Sequence, residues 1–326
     1  GIRYGFRGFD PAESAPLPLT PESVRNIHTK GGTVLGTGRG HFDPDVILDF
    51  VKANRVNMVF VLGGDGSHRA ALKIHETCRD AALRTVVVGI PKTVDNDLLY
   101  IDKTFGFDTA VGRACGVIDC AYAEASSVRN GVGLVKLMGR DAGLVAQDAA
   151  LSNNVVDACL IPEIPFRLTG DGGFLPWLDA HLAEHQHAVV VISEAAAQQH
   201  VPVLGKDPTG HNVYEDTGKW MKGLIEAHWA EAGSEGKVFL IDPSYTIRSV
   251  PATAADNQMC ISLAQAAVHT AFSGYSGVTV GLFHGLDGVL PIDVVVRGNR
   301  QVNPNGTAWQ TLESRLSFDP REAPDA

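Results

Sequence analysis

A lysine, a threonine, an asparagine and two aspartates crowd the segment Pro91-Lys92-Thr93-Val94-Asp95-Asn96-Asp97, directly after the mostly apolar run from Arg84 to Ile90. A short β-branched run halted by proline reads as a buried parallel strand, and open α/β sheets bind ligands beyond the carboxyl ends of their strands. In extended backbone the side chains of Asp95 and Asp97 share a face, where they can hold a metal ion or a substrate hydroxyl. Lys92 is placed to neutralise a transferring phosphoryl group. The same residues would also serve as a capped helix start with surface charges.

A second candidate is Gly63-Gly64-Asp65-Gly66-Ser67, which follows the apolar run Val56–Leu62 and precedes a helical pattern of Ala70, Ala71 and Ile74. Glycines let the backbone approach a ligand closely, and a helix N-terminus favours an anion. A carboxylate there repels a phosphate unless a cation lies between them. Asp65 therefore reads as a Mg²⁺-facing group, or else as a surface aspartate on a tight strand–helix turn. Arg39, among the small residues of Gly36-Thr37-Gly38-Arg39-Gly40, is a phosphate ligand or an ordinary loop residue. Three more apolar runs stop at polar ends: 133–137 at Met138-Gly139-Arg140, 188–192 at Ser193-Glu194, and 237–241 at Asp242-Pro243-Ser244-Tyr245-Thr246-Ile247-Arg248.

The elements that must position these groups follow from periodicity. Helices are predicted over 44–53, from Ser67, and over 107–126, 144–151, 174–184, 220–231 and 256–272, with a short element near Val24 to His28. The 107–126 helix buries a stripe of Val111, Ala114, Cys115, Ile118, Ala121, Tyr122 and Ala125, leaving Glu124 solvated. Strands are further predicted at 158–161, 277–281 and 288–296. Residues 195–218 read as polar and exposed, His200 as a surface residue and His269 as a packing histidine. The repeated strand, polar end and helix predict an α/β fold with doubly wound parallel sheets. The division expected is one sheet domain carrying the glycine turns and a second carrying Met138 and Glu194, with the site in the cleft between them.

Composition excludes other classes. The chain has 326 residues, 44% of them hydrophobic, and a formal net charge of −10, with no basic run longer than two residues. No nucleic-acid partner and no anionic membrane surface is expected of such a chain. Five scattered cysteines without a C-x-x-C pair read as reduced core thiols of a cytoplasmic protein, rather than as a disulfide framework or zinc site. No apolar run approaches 18 residues, and no signal peptide is expected at the start.

Taken together, Gly63-Gly64-Asp65-Gly66, Pro91-Lys92-Thr93-Val94-Asp95-Asn96-Asp97, Phe105-Gly106-Phe107-Asp108-Thr109-Ala110, Met138-Gly139-Arg140 and Asp242-Pro243-Ser244-Tyr245 with Ile247-Arg248 resemble the phosphofructokinase family. The likeness is to the plant and trypanosomatid ATP-dependent branch, itself related to pyrophosphate-using enzymes. It covers nearly the whole chain, and its motifs occur in the family's order.

The resemblance implies a 6-phosphofructokinase transferring the γ-phosphoryl group of ATP, with Mg²⁺, to the 1-hydroxyl of fructose 6-phosphate in glycolysis. It implies Asp95 as general base, Asp97 as its supporting carboxylate near the metal, and Thr93 on the transferring group. Asp65 would take the magnesium role, with Gly64, Gly66 and Ser67 lining the nucleotide and Arg39 reaching its phosphates. Met138, Gly139 and Arg140 would hold the sugar, with Arg140 also near the transferred group. Glu194 would accept from sugar hydroxyls, and Arg248, with Tyr245 nearby, would face the 6-phosphate. Two Rossmann-like sheet domains are implied: 1–136 for the phosphoryl donor, 137–275 for the sugar phosphate, and 276–326 as strands and tail returning to the first. A homo-oligomer, tetramer or dimer, is implied as well.

The donor question turns on Gly66. In this family an aspartate at that position goes with pyrophosphate, whereas glycine leaves room for the ATP α-phosphate. Lys92 pulls toward pyrophosphate but also occurs in the ATP-using branch, so ATP is the expected donor. Three departures favour the alternative of an inactive, regulatory sugar-phosphate-binding relative. The family's first strand and its Gly-Gly-x-x-Pro-Gly-x-Asn loop have no match, the chain opening instead at Gly1-Ile2-Arg3-Tyr4-Gly5-Phe6-Arg7-Gly8. Ala195-Ala196-Ala197 follows Glu194 where the branch has Gly-x-Gly, and Gly112-Arg113 replaces a usual acidic residue in the helix after Thr109.

Overall fold

A computed structural model describes residues 1–206 and 212–321 of the chain. Its first half contains α1 (Pro21–Val24), α2 (Pro44–Ala53), β1 (Met58–Gly63), α3 (Asp65–Asp80), β2 (Val86–Pro91), α4 (Phe107–Ser126), β3 (Gly131–Leu137), α5 (Leu144–Leu151) and β4 (Ala158–Leu160). Then come α6 (Phe174–His185), β5 (His187–Ser193), β6 (Val203–Lys206), β7 (Asn212–Tyr214), α7 (Thr217–Ala232) and β8 (Lys237–Ile241). The last elements are α8 (Ser244–Arg248), α9 (Ala254–Phe272), β9 (Val278–Phe283), β10 (Leu286–Pro291), α10 (Ile292–Val295) and α11 (Thr307–Glu313).

The strands form two main sheets, as the alternating pattern predicts. One has the order β1-β2-β9-β10, parallel until the β9–β10 hairpin. The other, β4-β5-β3-β8, is parallel throughout. Every residue of β3 is buried, the mark of a strand covered on both faces. Gly131 and Gly133 in that strand accept α4 at close range: a Cβ on Gly131 would lie 2.1 Å from the Ala125 carbonyl oxygen. The helix answers with a narrow face of three alanines and one isoleucine, Ala114, Ile118, Ala121 and Ala125, all buried. Tyr122, expected in that stripe, is instead exposed, and Val111 and Cys115 are half-buried. Gly112 does not interrupt the helix.

By internal contacts the chain forms two compact units, Gly1–Thr109 with Arg248–Arg300, and Ala110–Ile247 with Gln301–Ala326. The first parting falls upstream of residue 136, because α4 lies on β3 and β3 pairs with β5 and β8. The first unit centres on Ile47, Val51, Val59, Ala71, Ile74 and Val87, and the second on Leu134, Leu160, Phe174, Leu178, Val190 and Ile225.

Three local expectations are corrected: the strand expected over 288–296 ends at Pro291, and α10 follows from Ile292. Residues 195–218 are not uniformly exposed: Ala195, Ala196, Ala197 and Val201 are buried, and β6 and β7 make an exposed ribbon. The short polar residues on either side had masked that apolar insertion, and residues 207–211 lie outside the described part. His269 is exposed on α9 and not packed, since the buried face of that helix runs through Leu263, Ala267 and Ala271.

Candidate active site

In the first sheet, β1 and β2 run side by side with Gly63 opposite Pro91, and the Lys92 N–H donates to the Gly63 carbonyl at 2.9 Å. The glycine turn and the Lys92–Asp97 loop therefore leave one carboxyl edge together. Gly64, extended, caps α3, and a Cβ there would sit 3.4 Å from the Thr93 Cβ. No helix begins in the Lys92–Asp97 segment; α4 starts only at Phe107, so the capped-helix reading is excluded.

That loop is held by Asn96. It is 2% exposed, takes a left-handed φ of 56°, accepts from the Thr104 N–H at 2.9 Å and donates to the Asp102 carbonyl at 3.2 Å. Thr104 in turn donates to the Thr93 carbonyl at 2.5 Å. The Thr93 hydroxyl donates to Asp97 at 3.2 Å and accepts from the Asp95 N–H at 3.2 Å. Thr93, Asp95 and Asp97 are thus joined in one half-buried turn, with Lys92 exposed beside them.

Asp65 opens α3, and its Oδ2 accepts from Arg69 at 3.1 Å. Its Oδ1 is buried and lacks a hydrogen-bond partner among the described residues. A buried, orphaned carboxylate oxygen suits a cation. No group of three metal-ligating side chains occurs among the described residues. Magnesium does not require one, since it is commonly held by one or two carboxylates together with phosphate oxygens and water. Asp65 and Asp97 fit that donor set. Gly66 is exposed, and a Cβ on it would meet nothing within 4 Å, so the space beside it is open. Ser67 is half-buried, its hydroxyl turned back toward Gly63. Arg39 is exposed and lines a cavity of about 400 Å³ with Tyr4, Arg7, Glu13, Ser14, Thr37 and Gly38.

Two buried residues brace this edge. His68 bridges the Gly64 carbonyl, 3.0 Å from Nδ1, and the Thr279 hydroxyl, 2.9 Å from Nε2. Burial holds its pKa below the ordinary 6.5, and because the Gly64 carbonyl can only accept, Nδ1 carries a proton. Asp256 of α9, 1% exposed, accepts from the Gly106 and Thr109 N–H groups at 2.9 and 2.8 Å, fixing the start of α4.

In the second sheet, Leu137 lies opposite Ser193 and Val135 opposite Ile241. Met138-Gly139-Arg140, Glu194 and Asp242 therefore leave one edge. Gly139, at φ 142°, is irreplaceable in place: a Cβ would lie 2.3 Å from the Ala142 carbonyl oxygen. Its own carbonyl accepts from the Ser193 hydroxyl at 3.1 Å. Met138 is half-buried, and Arg140 and Glu194 are exposed. Tyr245 projects from α8 at 74% exposure, and Arg248 ends that helix, also exposed. Ala196 and Ala197, which replace a branch glycine and its neighbour, pack into the core of this unit.

Beneath this edge Lys136, a tenth exposed, pairs with Asp216 at 2.6 Å and with Asp242 at 2.7 Å. Burial opposes its charge, but the hydrogen bonds it donates to both carboxylates outweigh it and raise the pKa. Burial likewise pushes the two carboxyls up, and their bonds to Lys136 bring both below the ordinary range.

Sequence reasoning passed over Asn96, His68, Lys136 and Asp256. A charge inside the apolar run 133–137 was a visible signal for Lys136, and an asparagine amid turn residues was one for the left-handed Asn96. Asp256 had none, because its partners lie far away in sequence.

These two mainly parallel sheets, each ending in a polar carboxyl edge with a glycine turn, define an α/β protein of the class whose strand ends bind ligands. A family model described as phosphofructokinase matches residues 1–271, and the chain belongs to the phosphofructokinase family. It is 43% identical over 310 residues to ATP-dependent 6-phosphofructokinase 5, chloroplastic, of Arabidopsis thaliana, spanning 95% of this chain and 58% of that protein. It is 40% identical over 324 residues to the ATP-dependent 6-phosphofructokinase of Borreliella burgdorferi, spanning 96% and 72%. The chain thus spans less than two thirds of the Arabidopsis relative. Among solved structures, the pyrophosphate-dependent phosphofructokinase of Marinobacter aquaeolei matches the fold with a TM-score of 0.74, at 20% identity, over 97% of this chain and 82% of that one. Among the described residues no helix is long and apolar enough to cross a membrane.

Proposed function

We propose that this chain carries the active site of an ATP-dependent 6-phosphofructokinase, transferring the γ-phosphoryl group to the 1-hydroxyl of fructose 6-phosphate. The observation that carries the reading is the joined edge of the first sheet. There the Gly64–Ser67 turn, open beside Gly66, is tied through Gly63 to the loop of Thr93, Asp95 and Asp97. Relatives at 40–43% identity that are named ATP-dependent support the choice of donor.

Asp95 takes the proton of the sugar hydroxyl as it attacks, a role suited to a carboxylate because that hydroxyl becomes acidic only in the transition state. The Thr93 hydroxyl orients the transferring group, and Lys92 and Arg140 offset charge on its equatorial oxygens. Asp65 and Asp97 would hold Mg²⁺, which when bound neutralises the β- and γ-phosphates. Gly64, Gly66 and Ser67 line the nucleotide, and Arg39 takes a donor phosphate with its planar fork. Met138, Gly139 and Glu194 hold the sugar, and Arg248 with Tyr245 its 6-phosphate. Five cysteines without a disulfide support a reducing, cytoplasmic setting.

The test is a coupled assay for fructose 1,6-bisphosphate with Mg²⁺ and either ATP or pyrophosphate, on the protein with its native N-terminus. Turnover with ATP alone supports the reading. Turnover mainly with pyrophosphate makes Lys92, and not Gly66, the donor determinant. No turnover with either donor, but binding of fructose 6-phosphate, indicates a regulatory relative.

A further inference from the structure

The second sheet presents its polar edge from three strand ends, and each is tied to one side chain that touches none of the ligand groups named above. Lys136 sits on β3 just before Met138-Gly139-Arg140. Its ammonium reaches Asp242, which accepts from the Ser244 N–H at 3.0 Å and hydroxyl at 2.5 Å, fixing the start of the helix that carries Tyr245 and ends at Arg248. It also reaches Asp216, the N-cap of α7, which accepts from the Lys219 N–H at 2.9 Å. The next residue, Thr217, donates its hydroxyl to the Glu194 carbonyl at 2.7 Å. Space around the stem is fully used: a Cβ on Gly218 would lie 3.3 Å from the Lys136 Cβ.

We infer that Lys136 is a positioning residue for the sugar-phosphate half of the site, holding the segments of Met138–Arg140, Glu194 and Tyr245–Arg248 in register through two helix caps; this rests on the function proposed above. Two carboxylates at neighbouring helix starts repel each other, and a single buried cation between them is what makes their arrangement stable. An ordinary core position in β3 would be apolar, as its neighbours Val135 and Leu137 are. The hydrogen bonds of this triad all fall within the second sheet's unit, so its loss falls on sugar phosphate and not on the nucleotide.

The experiment compares wild type, K136M, K136R, D242N and K136M/D242N by steady-state kinetics with each substrate varied, alongside melting temperature. For K136M the expected result is a KM for fructose 6-phosphate raised about 10-fold or more, by analogy with the loss of groups that orient ligand-binding residues. The KM for ATP stays within about 3-fold, while kcat falls as Arg140 loses its place on the transferring group. K136R recovers most of the loss, and K136M/D242N falls short of the sum of the singles because the repulsion has been removed. An unchanged KM for fructose 6-phosphate, or an equal rise in both KM values, overturns the inference. If K136M does not fold, D242N decides: it keeps an acceptor for Ser244, so an unchanged sugar-phosphate KM is again the overturning result. If the wild type binds fructose 6-phosphate without turnover, calorimetric binding replaces KM. Weaker binding by K136M then upholds the inference while the kinase reading fails, and equal binding sinks it. No binding to wild type overturns both.

Discussion

Replacing Asp256 by alanine tests how the start of α4 is held. Its carboxylate accepts from the Gly106 N–H at 2.9 Å, the Thr109 N–H at 2.8 Å and the Thr109 hydroxyl at 2.5 Å, at 1% exposure. The hydroxyl has a fallback in Thr253, 3.4 Å away. The two backbone donors at the start of α4 have none among the described residues. Each buried donor left unsatisfied costs about 1–3 kcal/mol, and the favourable charge at the helix N-terminus is lost as well, so the total is about 3–5 kcal/mol. Asp256→Asn keeps an acceptor for one N–H only and loses about half as much. The four tryptophans, Trp177, Trp220, Trp229 and Trp309, all lie in the other unit. Tryptophan fluorescence is therefore blind here, and the assay is hydrogen–deuterium exchange of peptides spanning Gly106–Thr109. At 3–5 kcal/mol, exchange in Asp256→Ala accelerates about 150- to 5,000-fold, with an intermediate rate in Asp256→Asn. Acceleration below about 5-fold, or an Asn variant no better than Ala, would refute the reasoning.

Other outcomes follow from the same geometry. Gly139→Ala places a Cβ 2.3 Å from a backbone oxygen at a φ of 142°, so it loses about 2–4 kcal/mol in urea unfolding, and a loss below about 1 kcal/mol would contradict the strain. Gly66→Asp folds with an unchanged melting temperature, because its side chain enters open space, while two charges about 4 Å apart disfavour ATP by roughly 1–4 kcal/mol in kcat/KM; an unaltered ATP kcat/KM would count against Gly66 as donor determinant. Asp216 and Asp242 have lowered pKa values, so their contribution is full above the ordinary 3.8 and is lost as pH falls through their native values. Lys136 is raised above 10.5, so its contribution is full below that value and is lost as pH rises through its native pKa. The stability gap between wild type and Lys136→Met, read by urea midpoints against pH, should therefore be widest between these limits and shrink outside them. Alkylation at pH 8 should mark exposed Cys120 first, because burial, with Asp256 nearby, pushes Cys260 up to about 11 and burial pushes Cys159 higher still; equal rates would be contrary.

Both strand–turn units of the first edge were legible because their signals are local. An apolar run ending in Gly63 or Pro91 leaves few choices for the chain, and α2, α5 and α6 form over the runs expected from period, 44–53, 144–151 and 174–184. The pairing of those runs was not legible. Gly63 opposite Pro91, and Leu137 opposite Ser193, are contacts between distant segments, and they alone turn separate motifs into two edges. Long-range groups were lost for the same reason: Asp256 closes α4 across 147 residues and Lys136 reaches Asp216 across 80. The parting after Thr109 likewise rests on packing of α4, whose amphipathic face says that it is buried but not against which sheet.

The central claim is that Asp95 is the base that receives the sugar's 1-hydroxyl proton, and the most direct test is single-turnover phosphoryl transfer by Asp95→Asn beside equilibrium binding of fructose 6-phosphate. The account predicts a rate about 10²- to 10⁴-fold below wild type with binding held within about 3-fold, since the amide keeps the shape but cannot take the proton. A rate within a few-fold of wild type, with binding intact, would contradict it and move the base elsewhere.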